Sequence, residues 1–136
     1  MEGSVPNTAA RRSLAARIGL PNHDGMQDWE YEVADAALFP KFLEAYRQSD
    51  LNVPERISLM EMLVQCVEDL LSADATRPSE SLPEWQTVTG LLLEQPNLYA
   101  ATINYWSCLE EPDPGMCFAV STPMRALRAD LRRLTF

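Results

Sequence analysis

The sequence predicts an all-α fold, a single-domain bundle of five to six helices around a central apolar helix, with at most one short extended segment. Three observations carry this. Pro54–Ala73 is the longest run without an internal Pro or Gly, and Ile57, Met60, Leu63, Val64, Val67, Leu70 and Leu71 recur along it at spacings of three and four. Leu59, Met62 and Cys66 widen that face until only Ser58, Glu61, Gln65, Glu68 and Ser72 form a polar stripe, so the helix must be covered on most sides. The remaining apolar residues keep the same period between Pro, Gly and capping residues, and only one stretch alternates as a strand does.

In chain order, Met1–Asn7 reads as a loose end. Thr8 can cap a helix through about Ile18, with Ala10, Leu14 and Ile18 inward and Arg11, Arg12 and Arg17 outward. Gly19 stops it and Pro21 follows. Asn22–Gly25 is a linker holding His23, the one histidine, which is not expected to be a ligand or a base there. Asp28-Trp29-Glu30-Tyr31-Glu32-Val33 alternates acid and apolar with period two. It is expected to lie extended across the helices with its acids on the wet side, a short helix being the alternative.

Asp35 can cap a helix to about Gln48, with Leu38, Phe39, Phe42, Leu43 and Tyr46 inward. Pro40 makes its start a separate turn. Pro54 fits the first turn of the central helix. Asp74–Ser81 is a polar surface loop, and Pro83 opens a helix with Trp85, Val88, Leu91 and Leu92 inward. Gly90 weakens that helix unless a neighbour approaches closely. After Gln95-Pro96, Asn97 can cap a helix from Leu98 to about Leu109, with Tyr99, Thr102, Ile103, Trp106 and Leu109 on one side. Glu110–Gly115 is a rigid acidic loop, and Cys117–Val120 is a short apolar run, extended at most. Ser121 or Thr122 then caps a last helix, with Met124, Leu127, Leu131 and Leu134 inward and its arginines elsewhere.

A chain of 136 residues with 46% hydrophobic residues is one domain by length, with a core large enough to fold without metal or disulfides. No apolar run reaches the ~20 residues of a membrane span, and no signal peptide is seen at the start. The three cysteines, Cys66, Cys108 and Cys117, are an odd number without a CxxC pair, which predicts reduced thiols and a cytoplasmic protein.

Twenty acids against 11 bases give −9. The ends are basic, while Asp24–Asp113 holds 18 acids against four bases, or −14. Such a middle repels nucleic acid and anionic membranes and attracts a basic protein. Solubility alone is the plainer account of the same charge.

The five glycines are scattered, which excludes a phosphate-binding loop; one histidine excludes an HExxH zinc site and argues against an ordinary catalytic triad. Glu110, Glu111 and Asp113 lack the alternating ligands of a calcium loop, so no metal or other cofactor is expected. Paired carboxylates such as Glu61 with Glu68, or Glu68 with Asp69, read as a solvated helix face. No enzyme is expected. Tyr105, nearest a polar face among carboxylates, has the composition of a protein-binding hot spot.

Five strings together resemble a family of small acidic bacterial proteins: MQDWEYEVAD (Met26–Asp35), FLEAYRQS (Phe42–Ser49), ERISLMEML (Glu55–Leu63), TINYWSCLEE (Thr102–Glu111) and FAVSTPMRAL (Phe118–Leu127). Such proteins are similar in size and charge to immunity proteins encoded beside polymorphic or contact-delivered toxins. The resemblance is one of apolar and aromatic positions, so it implies a shared fold and carries no functional residues. It implies a non-enzymatic inhibitor that occludes a toxin domain, with a basic nuclease-like cleft as the natural target for acids that mimic phosphates. The residues expected to make contact are Asp28, Glu30 and Glu32 on the extended segment, Glu110, Glu111 and Asp113 in the loop, Glu68 and Asp69, and Tyr105. The alternative is a structural or adaptor protein, a homodimer among the options, whose acidity serves solubility only.

Overall fold

The computed structural model describes residues 8–22, 28–74, 76–113 and 116–134, the side chain of Leu134 excepted. The sequence expectations for Met1–Asn7 and for His23 lie outside them. Among the described residues the fold is all-helical, with seven α-helices, two short 3-10 turns and no strand. The chain forms two compact units, Met1–Cys66 and Val67–Phe136.

In the first unit, α1 (Thr8–Ile18) buries Ala10, Leu14, Ala15 and Ile18, the face expected from its period. Gly19 at φ +83 ends it, with its own N–H and that of Leu20 on the Ala15 carbonyl. The helix packs on α3 (Phe39–Tyr46), which buries Phe39, Phe42, Ala45 and Tyr46. As expected from Pro40, α3 is preceded by a separate turn, Ala36–Leu38, and Asp35 caps that turn through the Ala37 N–H at 3.0 Å.

Between α1 and α3 the extended reading is corrected. Trp29–Val33 is a short helix, α2, with Trp29 and Val33 buried four residues apart on one face. Burial of a Trp indole at helical spacing outweighs the period-two pattern, and the indole N–H donates to the Pro21 carbonyl at 2.6 Å.

The long helix α4 (Val53–Ala73) spans the boundary between the units. Every residue from Ile57 to Val64 is buried. Its start is a capping box that the sequence reading overlooked. Asn52 Oδ1 accepts the Glu55 N–H and Glu55 Oε1 accepts the Asn52 N–H, both at 2.9 Å, an exchange that is worth about 1 kcal/mol. Pro54 sits in the first turn.

The polar stripe of α4 is buried at its start, Ser58 and Glu61, and opens to solvent only at Ser72. Glu55 and Glu61 are buried, and each is held: Ser13 donates its hydroxyl to Glu55, and Tyr31 donates to Glu61 at 2.8 Å. Ser58 donates to Glu30 at 2.8 Å. Glu55, Ser58 and Glu61 are the seam along which α4 is joined to α1 and α2.

In the second unit, a 3-10 turn at Ser79–Ser81 leads into α5 (Pro83–Glu94), which buries Trp85, Val88 and Leu92. The next helix, α6 (Ala100–Ser107), packs on α7 (Ser121–Leu134). Thr102, Ile103 and Trp106 of α6 are buried as expected. Asn97 is not its cap; Tyr99, buried, occupies that position without a side-chain capping bond. Nor does the helix reach Leu109. Cys108 adopts a left-handed conformation, φ 55, and the chain turns away.

Cys108 turns toward Cys117, and the two form a disulfide with Cα atoms 6.3 Å apart. The expectation of three reduced thiols is therefore corrected to one, Cys66. The left-handed turn at Cys108 bends the chain back so that the pair meets across a short loop. Cys66 is buried and donates to the Asp35 carbonyl at 3.4 Å. No described helix is long and apolar enough to cross a membrane.

Candidate partner-binding site

The chain from Tyr105 to Cys117 holds four of the nine residues expected to make contact, and α6 determines how they are presented. With Thr102, Ile103 and Trp106 turned into the core, Tyr105 falls on the outer face and is 51% exposed. Its ring is supported, edge to face with Trp106 at 5.3 Å and tilted against Phe118 at 5.6 Å. An aromatic ring held this way contributes contact area to a partner at little cost in side-chain entropy.

The described residues of the loop that follows, Leu109, Glu110, Glu111, Pro112, Asp113 and Met116, are tied at several points. The disulfide closes it. Arg125 of α7 lies beneath it, donating from Nε to the Ser107 carbonyl at 2.7 Å and from Nη2 to the carbonyls of Cys108 and Glu111, both at 2.6 Å. A guanidinium there satisfies carbonyls that the end of α6 leaves without helical partners and complements the negative end of its dipole. The Glu111 N–H donates to the Cys108 carbonyl at 3.2 Å, and the Met116 N–H to that of Asp113 at 3.0 Å.

Within this frame the three predicted acids differ. Glu111 is half-buried, and its Oε1 accepts the Asp113 N–H at 3.3 Å. Glu110 and Asp113 are exposed. Beside them stand Leu109, expected inward but exposed, and Met116, 73% exposed. Of the five large apolar side chains exposed among the described residues, Leu109 and Met116 thus lie in the closed loop and Tyr105 on the helix turn just before it. The sequence signal for the frame was available in two cysteines bracketing a Pro- and acid-rich loop. Arg125 gave no such signal, since an arginine on a helix reads as a polar face until its acceptors are known.

The other predicted acids are placed differently. Glu30 is 2% exposed, with its carboxylate held by Arg11 through two bonds, Nε to Oε2 at 2.9 Å and Nη2 to Oε1 at 2.7 Å, and by Ser58. It is a buried anchor and has no edge left for a partner. Asp28 and Glu32 are exposed, and Glu32 accepts the Asp28 N–H at 3.0 Å, closing the first turn of α2.

Glu68 is half-buried and accepts the N–H groups of Ala119 and Val120, at 3.0 and 2.8 Å, so it holds the entry to α7. The same entry is held by Ser121, which donates to the Trp106 carbonyl at 2.8 Å and accepts the Phe118 N–H at 3.2 Å. Asp69 is half-buried and engaged in the fold.

The carboxyls pulled below the usual carboxylate range lie away from the loop. Asp50 is pulled down by its hydrogen bonds from Arg17, at 3.0 and 3.2 Å, and Asp74 by the hydroxyl and N–H of Thr76. Among the described residues no group of three or more His, Cys, Asp or Glu is arranged to hold a metal ion.

Comparison with family models, curated proteins and solved structures finds no match to this chain.

Proposed function

We propose that the protein is a non-enzymatic inhibitor of the immunity type, whose Tyr105–Met116 segment docks on a basic protein domain and occludes it. One observation carries the reading: exposed Leu109 and Met116 share a disulfide-closed loop with exposed Glu110 and Asp113, and exposed Tyr105 stands three residues before it on α6. Apolar anchors rimmed by charge are the usual make-up of a docking centre, and a fixed loop loses little freedom on binding. The −9 net charge and the resemblance to acidic immunity proteins support a basic partner, a toxin domain with a nucleic-acid cleft being the natural one. In this reading the helices pack round α4, as a scaffold for the loop.

The test is capture of a partner from native lysate by the wild-type chain and by Glu110→Lys/Asp113→Lys and Tyr105→Ala variants. One basic chain should be retained by wild type and lost on charge reversal, with Tyr105→Ala weakening it by about two orders of magnitude, or ~2–3 kcal/mol. Capture that survives the reversal sinks the proposal. A partner acting on nucleic acid would be met in the cytoplasm, where the Cys108–Cys117 bond faces reductants, so capture is compared with and without a thiol reductant. The second reading, an adaptor or homodimer, draws on the same three exposed apolar side chains. It expects self-association that charge reversal leaves intact.

A further inference from the structure

The groove between α6 and α7 is a separate feature of the second unit. It is open, encloses about 390 Å³, and is lined on one side by Ala100, Ile103 and Asn104 and on the other by Arg128, Leu131 and Arg132. On each helix these residues are spaced i, i+3, i+4, so each wall is one helical face. In a chain with 20 acids, no carboxylate among the described residues lines this groove and two arginines do.

Asn97, whose amide both donates and accepts, also lines the groove; the other polar side chains there are Asn104 and the two arginines. Arg128 is half-buried, and its Nε donates to Asn104 Oδ1 at 2.9 Å. That bond fixes the guanidinium plane and leaves the Nη1/Nη2 edge without a protein acceptor among the described residues. Asn104, its oxygen taken, has only its Nδ2 donor to offer. Arg132 adds positive charge. Ile103 and Leu131 supply apolar surface beside these donors. The volume is at the lower end of the range for small-molecule sites.

We infer that the α6–α7 groove binds a small carboxylate carrying an apolar tail, with the carboxylate bridging the Nη edge of Arg128 and the tail over Ile103 and Leu131. A planar two-oxygen anion matches the free guanidinium edge, and prior orientation by Asn104 removes part of the entropic cost of fixing it. The groove is independent of the acidic loop, and the inference stands or falls without it.

Octanoate is the probe, titrated into the full chain by isothermal calorimetry and by the methyl resonances of Ile103 and Leu131, with octanol and inorganic phosphate as comparisons. Saturable octanoate binding is expected, at least tenfold tighter than either comparison. Arg128→Gln should weaken it tenfold or more, while Arg133→Gln, whose side chain pairs with Asp130 outside the groove, should leave it unchanged. Should Arg128→Gln fail to fold, Arg128→Lys keeps the charge without the planar fork and should still weaken binding severalfold. No saturable binding, octanol binding as tightly as octanoate, or an Arg128 variant that binds as wild type would overturn the inference. Phosphate binding as tightly as octanoate would do the same.

Discussion

Glu30 shows how a single side chain changes meaning between sequence and fold. Among alternating acids it reads as one more surface charge, because Asp28, Glu30 and Glu32 share a spacing and a residue type. The distinction lies in Arg11 and Ser58, 19 and 28 residues away, and no local pattern announces either. A carboxylate this deep is tolerated only when paired and hydrogen-bonded, and Arg11 and Ser58 supply three bonds to it. Removing it strands a guanidinium that is itself largely covered, its side chain 24% exposed. Glu30→Ala is therefore expected to lower stability by about 3 kcal/mol, toward the lower end for a broken buried pair. Denaturant unfolding should show a reduced midpoint at unchanged slope. A loss under about 1 kcal/mol would mean that water reaches the pair and that Glu30 is no anchor.

At the scale of elements, what could be read in advance was the period and what could not was the end. The buried faces of α1, α3, α5 and α7 agree with the spacings, because a helix face is a local property of the chain. Boundaries were decided from outside. Cys108 ends α6 early because it turns toward Cys117, and the entry to α7 is held by Glu68, 51 and 52 residues from the N–H groups it accepts. The capping box at Asn52 and Glu55 was local and legible, an Asn followed three residues later by Glu before an apolar run. Gly90 is the converse case. The sequence leaves two accounts open, a weak point or a close approach, and the fold decides between them. An added Cβ meets nothing within 4 Å, and the residue is exposed within α5. Gly90→Ala should therefore raise stability by about 0.5–1 kcal/mol, by relieving the backbone entropy that glycine loses in a helix. Thermal unfolding checks it, and a fall in the midpoint would require a neighbour that the fold does not place there.

For the whole molecule, the charge of the middle region overstates the acid available to a partner. Glu30, Glu55 and Glu61 are buried and Glu68 is bonded into the fold, so the −14 counted along the chain includes charges that hold helices together. The all-helical class was legible because period and composition agree throughout the chain. The division of acids into internal and external ones was not, since it depends on which helices meet. What remains outside is still negative. With Glu30, Glu55 and Glu61 set aside, Met1–Cys66 keeps seven acids against six bases, and with Glu68 set aside Val67–Phe136 keeps nine against five. A basic partner therefore meets the stronger attractive field at the second unit, which carries the acidic loop. The Debye length falls from about 30 Å at 0.01 M salt to about 3 Å at 1 M, so this field is felt over molecular distances only at low salt. For the captured partner, the association rate should fall about tenfold or more between 20 and 500 mM salt, while the dissociation rate changes far less, because apolar anchors at Tyr105, Leu109 and Met116 hold the complex once formed. Stopped-flow mixing separates the two rates. A rate flat in salt, together with self-association that strengthens as salt rises, would transfer the exposed apolar side chains to a homodimer interface and leave the acidity as solubility.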